Sequence, residues 1–193
     1  YKRQGQELER IGYAGDQPMG KPIHAAFELH IEQGPILEAE GKTIGVVTHA
    51  QGQRWYEVEF IGQESHAGPT PMPRRKDALL GAARVIDWVN RVGHEHAPFA
   101  CATVGMIQNY PNSRNVIPGR VFFTIDIRHP EDAVLAEMDR KVREGVARIA
   151  AETKVEVQRL DQIFYYKPVA FDVECVASVR AGAVRFGYSH RDM

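Results

Sequence analysis

Cysteine is scarce in this chain. Cys101 and Cys175 stand far apart and form no C-x-x-C pair, which excludes a disulfide framework and a structural zinc site built on thiolates. A reducing, cytoplasmic compartment fits that usage. Excess charge of either sign is also missing: 24 basic against 25 acidic residues leave a net charge of -1, so neither nucleic acid nor an anionic membrane is an expected partner. No apolar run approaches the roughly 18 residues of a membrane span, and no signal-peptide core is visible. Internal repeats and low-complexity segments are absent as well. What remains is an ordinary globular composition, 44% hydrophobic over 193 residues, enough for one domain or one and a half. Tyr1 and Met193 bound the chain without a natural start or stop, as expected of a piece of a longer protein.

One stretch stands out, Phe27-Glu28-Leu29-His30-Ile31-Glu32-Gln33-Gly34-Pro35. Ala25, Phe27, Leu29 and Ile31 alternate with Ala26, Glu28, His30 and Glu32, and a side-chain period of two predicts a strand with His30 between two carboxylates on one face. Gly34-Pro35 ends it, and Ile36, Leu37 and Ala39 lead into a short helix, so His30 is placed at the carboxyl end of a strand, where ligands bind in open α/β sheets. Imidazole beside carboxylate is the material of a zinc-type site. A histidine hydrogen-bonded at a strand end is the plainer alternative.

Before that stretch, residues 1–12 read as a helix end and Gly12 to Gly20, with Gly15 and Pro18, as a turn-rich connector. After it, Thr43–Ala50 reads as a strand, and 54–61 as a half-exposed strand with Tyr56, Val58 and Phe60 on one face and Trp55, Glu57 and Glu59 on the other. Gly62–Pro73 is a polar loop stiffened by Pro69, Pro71 and Pro73. Leu79, Ala82, Ala83, Ile86 and Val89 mark an amphipathic helix. Strands are expected at 100–107 and 121–128, the second with Thr124, Asp126 and Arg128 opposite its apolar face. A helix follows from Pro130-Glu131-Asp132 to about Thr153, burying Leu135, Met138, Val142, Val146 and Ile149. Residues 154–160 alternate again. Asp172 is placed to cap a last helix with Val173, Val176, Val179, Ala183 and Phe186 inward.

The order from 54 to 160 is thus β-α-β-β-α-β, a ferredoxin-like sandwich of two helices on a four-stranded antiparallel sheet. The expected fold is α/β (α+β) with this domain at residues 51–165, flanked by 1–50 and 166–193 as two fragments of another α/β domain, each too small to bury a core alone.

Four separated motifs, Glu28-Leu29-His30-Ile31-Glu32-Gln33-Gly34-Pro35, His66-Ala67-Gly68-x-Thr70-Pro71-Met72, Asn115-Val116-Ile117-Pro118-Gly119 and Asp126-Ile127-Arg128, resemble in order the hydantoinase/carbamoylase amidases of the M20 metallopeptidase superfamily. The resemblance covers nearly the whole chain. It implies a metallopeptidase-like catalytic domain with two divalent metal ions (zinc, manganese, cobalt or nickel), into which the sandwich is inserted as lid and dimerisation domain. The implied reaction is hydrolysis of the carbamoyl C–N bond of N-carbamoyl-L-amino acids or related ureido acids, in a homodimer.

By motif position, His30 is the implied metal ligand, with the other ligands and the general base before Tyr1 or after Met193, so the piece by itself is expected to be inert. His66 is the implied catalytic donor to the carbonyl oxygen, reaching the partner subunit's site. Arg128 would clamp the substrate carboxylate, with Gln53 and Asn115 as amide contacts. Plainer alternatives stay open for each: a solvated loop for His66, an ion pair with Asp126 or Glu131 for Arg128, and loop capping for Asn115 and Gln53. His94-x-His96 reads as a solvated loop. The competing functions are an aminoacylase or dipeptidase of the same superfamily and a noncatalytic dimerisation module.

Overall fold

In the structure, a computed structural model, residues 2–17 and 20–193 are described. The connector's Pro18 lies outside them. The described chain forms two compact units that meet in sequence at Pro35 and Ile36. The first contains helix α1 (Lys2–Arg10). Its alternating run 25–32 does not form the expected strand: none of the sheets among the described residues includes it, and Leu29 is 99% exposed. Alternation supplies two faces, but a strand is made by a neighbour that takes its backbone N–H and C=O groups, and no described strand pairs with this run. His30 therefore sits on exposed backbone outside any described strand and not at a strand end.

The second unit begins with α2 (Ile36–Ala39), β1 (Ile44–Val46), β2 (His49–Ala50), β3 (Gly52–Ile61) and β4 (Ser65–His66). A 3₁₀ turn at Met72–Arg74 precedes α3 (Ala78–Glu95), β5 (Cys101–Tyr110), β6 (Val116–Ile117) and β7 (Arg120–His129). Then come α4 (Asp132–Thr153), β8 (Glu156–Tyr166), β9 (Val169–Ala170), α5 (Val173–Arg185) and β10 (His190–Asp192). Strands β3, β5, β7 and β8 make an antiparallel sheet in the order β5-β7-β3-β8, with α3 and α4 on one face, which is the ferredoxin-like arrangement.

The core lies between that sheet and the two helices. Tyr56, Val58 and Phe60 of β3 and Val121, Phe123, Ile125 and Ile127 of β7 point into it, as do all five expected residues of α4. The stripe of α3 is rotated from expectation: Ala78, Ala82, Val85, Val89 and Val92 are buried, whereas Ala83 is exposed and Leu79 and Ile86 lie at the border. Close approach explains the shift. A Cβ on Gly81 would come within 3.1 Å of the Phe60 ring, and one on Gly93 within 2.9 Å of Ala102 Cβ, so the smallest side chains must face the sheet.

A polar cluster fixes α4 on β3. Asp139 accepts from Arg54 Nη1 at 2.9 Å, Tyr56 OH at 2.7 Å and Arg143 Nε at 2.8 Å. Burial, and then the hydrogen bond to Asp139, push the Tyr56 phenol above its usual range. Below pH about 10 both folded and unfolded chains keep that proton; above it the unfolded chain loses it while the folded phenol retains it. Stability is therefore expected to fall above that pH by about 1.4 kcal/mol per pH unit from this group. Urea midpoints between pH 9 and 11, compared with Tyr56→Phe, check this; the variant should flatten the slope, and identical slopes would refute the assignment.

Around the sandwich the flanks pair with each other. β1 and β10 run parallel with Ile44 opposite His190, and β2 and β9 antiparallel with His49 opposite Ala170. Asp172 caps α5 as expected, accepting from the backbone N–H of Glu174 and Cys175 at 3.0 Å each. Of the expected stripe, however, only Ala183 is buried, while Val173, Val179 and Phe186 are exposed. The helix packs on β1 and β10, and two strands of three residues each are too small to cover its whole apolar side.

Candidate functional site

Directly opposed residues of antiparallel strands share a face, which places the expected residues by register. Cys101 of β5 lies opposite Arg128 of β7, Arg128 opposite Gln53 of β3, and Gln53 opposite Tyr166 of β8. The next row on that face runs Thr103, Asp126, Trp55 and Phe164. Both rows belong to the side turned away from α3 and α4, since the alternate residues Ile125, Ile127 and Tyr56 are buried beneath the helices. Gln53 and Arg128, 75 positions apart in the chain, are thus neighbours.

An open cavity of about 560 Å³ covers these rows, lined by Gln51, Trp55, Thr103, Thr124, Asp126 and Arg128 among others. The Trp55 and Phe164 rings lie beside it, 5.1 Å between centroids. Arg128 donates from Nε to both Asp126 oxygens at 3.1 Å and from Nη2 to Oδ2 at 2.6 Å. The first of the two ion pairs weighed for Arg128 is therefore present. The hydrogen bond to Asp126 raises the guanidinium pKa still further, so the cation is permanent. Among the described residues the Gln53 side-chain amide has no hydrogen-bond partner.

His66 and Asn115 come together elsewhere. The loop expected over 62–73 contains a short ladder in which β4 pairs with β6 and His66 faces Val116, while Ala67 N–H donates to the Asn115 carbonyl at 2.8 Å. Gly68 N–H donates to His66 Nδ1 at 3.0 Å. With Nδ1 accepting, the neutral ring carries its proton on Nε2, where it is available as a donor. Arg75 stiffens this loop more directly than the prolines do, donating to the Ala67 carbonyl at 2.7 Å and to the Thr70 carbonyl at 3.1 Å. Nothing in the sequence spacing marks Arg75 for that task. Asn115 Oδ1 accepts from Ser113 Oγ at 2.9 Å, the local capping that was its plainer alternative, which leaves its amide N–H₂ as the free end.

These two pairs occupy opposite ends of the sheet. Gln53 is at the start of β3 and Arg128 near the end of β7 beside it; the β4–β6 ladder begins beyond the Ile61–Arg120 end, eight positions on from Gln53, which at a strand's rise is about 27 Å.

In the first unit, His30 Nδ1 lies 2.6 Å from the Ile31 carbonyl oxygen. That contact makes Nδ1 the protonated nitrogen and leaves the Nε2 lone pair for a ligand, the tautomer a metal-binding imidazole needs. Yet among the described residues no three His, Cys, Asp or Glu side chains gather to hold a metal ion, so the two-metal site is not met by this chain's described residues. His96 is engaged with the Val92 carbonyl at 2.8 Å as α3 ends. No helix among the described residues is long and apolar enough to cross a membrane.

Residues 48–154 match the family model of the peptidase dimerisation domain. The chain is 45% identical, over 98% of its length, to an N-carbamoyl-L-amino-acid amidohydrolase of Rhizobium meliloti and 35% identical, over 89%, to the allantoate amidohydrolase of Escherichia coli. Its fold superimposes on an amidase of the hydantoinase/carbamoylase family from Burkholderia multivorans with a TM-score of 0.92 at 74% identity, covering 97% of this chain and 46% of that one. The chain spans 45% of the Rhizobium relative and 41% of the Escherichia relative, under half of either. By motif, by sandwich topology and by these likenesses, the chain belongs to the hydantoinase/carbamoylase branch of the M20 amidases and carries that family's dimerisation domain.

Proposed function

We propose that this chain supplies the substrate-gripping and dimer-forming part of a metal-dependent amidohydrolase that cleaves the carbamoyl C–N bond of N-carbamoyl-L-amino acids or related ureido acids. Arg128 grips the substrate carboxylate and Gln53, beside it with an unused amide, hydrogen-bonds the ureido group. His66 donates from Nε2 to the carbonyl oxygen as negative charge gathers there, with Asn115 next to it. His30 contributes one metal ligand. No hydrolytic step is assigned to the chain by itself, and alone it is expected to release no ammonia. The domain division at residues 51–165 follows from the same reading, and the free thiols of Cys101 and Cys175 suit a cytoplasmic setting.

The observation that carries this reading is the separation of the two pairs. A ureido acid is under about 10 Å long, so it cannot touch both ends of one sheet some 27 Å apart. Two subunits arranged about a two-fold axis solve the problem, Arg128 and Gln53 coming from one and His66 and Asn115 from its partner. The relatives' names support the substrate class, and the dimerisation family supports the pairing.

Mixed dimers of the whole protein test it. Homodimers carrying His66→Ala and homodimers carrying Arg128→Ala should each release ammonia far more slowly than the unmodified protein, at a residual rate that is still measurable. Random mixing should restore ammonia release from an N-carbamoyl-L-amino acid to roughly a quarter of the unmodified rate, because half the dimers then hold one complete site of two. No recovery in a verified heterodimer would place both residues in the same subunit's site or outside it.

A further inference from the structure

We propose that Asp126 is a positioning residue for the carboxylate clamp, holding the Arg128 guanidinium by its Nε/Nη2 edge so that its Nη1/Nη2 edge is presented to the substrate. The inference rests on the reading of Arg128 as that clamp, but it concerns a residue on which that reading is silent. A guanidinium has five N–H groups in one plane. Asp126 takes the Nε hydrogen with both oxygens at 3.1 Å and one Nη2 hydrogen at 2.6 Å. Both Nη1 hydrogens and the second Nη2 hydrogen are left, and two of these point in parallel at the end of the fork, the geometry that matches a carboxylate. Asp126 and Arg128 are two positions apart on β7, so their side chains rise from one face and the contact needs no further support. The same pair lines the open cavity on that face.

Two effects of Asp126 on an anionic substrate oppose each other. Its charge repels the carboxylate, whereas its grip removes the rotamer freedom of a long side chain that would otherwise be lost on binding. Neighbouring Trp55 and Thr103, opposite Asp126 on either side, close the row, and among the described residues lining the cavity Arg128 is the cation offered to a substrate carboxylate. The geometry favours the grip as the dominant effect, and the sign of the Asp126→Asn change decides between them.

The experiment uses the whole protein with divalent metal supplied, and two probes, N-carbamoyl-L-alanine and N-carbamoyl-L-alaninamide, in which the carboxylate is replaced by a neutral amide. Asp126→Asn is expected to lower kcat/KM for the acid by about tenfold to a hundredfold, mostly through KM, and to leave the amide within about twofold. Adding Asp126→Asn to Arg128→Ala should produce no further loss, since a positioning residue has nothing left to position. A residue that merely held the fold would lower both probes alike and the melting temperature with them. If Asp126→Asn leaves the acid unchanged or tightens it while Arg128→Ala still abolishes the preference for acid over amide, the positioning role is overturned and the clamp survives. If Arg128→Ala keeps that preference, the clamp reading falls and the positioning role with it.

Discussion

Replacing Asp139 by alanine is expected to destabilise the sandwich by about 3–5 kcal/mol. The carboxylate and Arg54 are 18% and 13% exposed, too buried for water to take over their pairing. Three donors converge on Asp139, from Arg54, Tyr56 and Arg143, and two of them are cations. Truncation strands the Arg54 charge and a phenol whose ring is wholly buried, whereas Arg143, 38% exposed, turns to water. Arg54 is the worst placed, because its Nε is already buried without a partner among the described residues and its remaining supports are a long 3.5 Å hydrogen bond from Nη1 to Gln162 Oε1 and stacking over Tyr165 at 4.5 Å. Asp139→Asn keeps an acceptor for Tyr56 and should cost less, about 1–3 kcal/mol. Urea denaturation of both variants at neutral pH measures the difference. A loss below about 1 kcal/mol for the alanine variant would mean that the cluster behaves as a solvated surface pair.

Arg128→Lys should impair turnover strongly while leaving the fold alone. The pair with Asp126 is half-exposed and worth about 0–1 kcal/mol to folding, so melting temperature should hardly move. Activity is another matter. An end-on guanidinium gives the substrate two parallel charged hydrogen bonds; an ammonium on a flexible stem gives one, without the planar fit. The loss of one charged hydrogen bond of about 1.5–3 kcal/mol corresponds to a drop of about tenfold to a hundredfold in kcat/KM, and Arg128→Ala, losing both, to a larger one. The steady-state rate of ammonia release by the whole protein on a carbamoyl amino acid checks this. An unchanged kcat/KM in the lysine variant would remove Arg128 from the site.

The contrast between what could and could not be read beforehand follows the range of the interaction. The stripe of α4 was legible because Leu135, Met138, Val142, Val146 and Ile149 are large and recur on one helical face, and each is buried. The stripe of α3 is only partly legible: Ala82 and Val89 are buried as expected, but the face is turned toward Val85 and Val92 by the close contacts at Gly81 and Gly93, whose missing side chains a search for bulk passes over. The run around His30 has a strand's alternation, yet a ladder also needs a neighbour, and alternation says nothing about one. The β-α-β-β-α-β order was visible, but the register that sets Gln53 beside Arg128 and His66 opposite Val116, with Ala67 bonded to Asn115, depends on pairings between distant segments. Asp126 was weighed only as a surface partner for Arg128; which edge of the guanidinium it occupies is a matter of geometry alone.

The pairing of the flanks makes one part of the chain depend on another. His49 and Ala170 are ladder partners, and Ile44 pairs with His190 beyond them, so the whole sandwich is enclosed in a single loop that starts and ends at one point. While the sandwich is folded, its own β3 and β8 lie side by side and deliver both ends of that loop already close together. Were it unfolded, the roughly 120 residues between His49 and Ala170 would be free chain, and bringing their ends together would cost about 4 kcal/mol in closure entropy. Two short ladders of two and three residue pairs cannot offset that. Assembly is thus hierarchical, with the interior segment as the template on which the outer strands register, and any lesion that melts the sandwich also separates two strands that contain none of the altered residues.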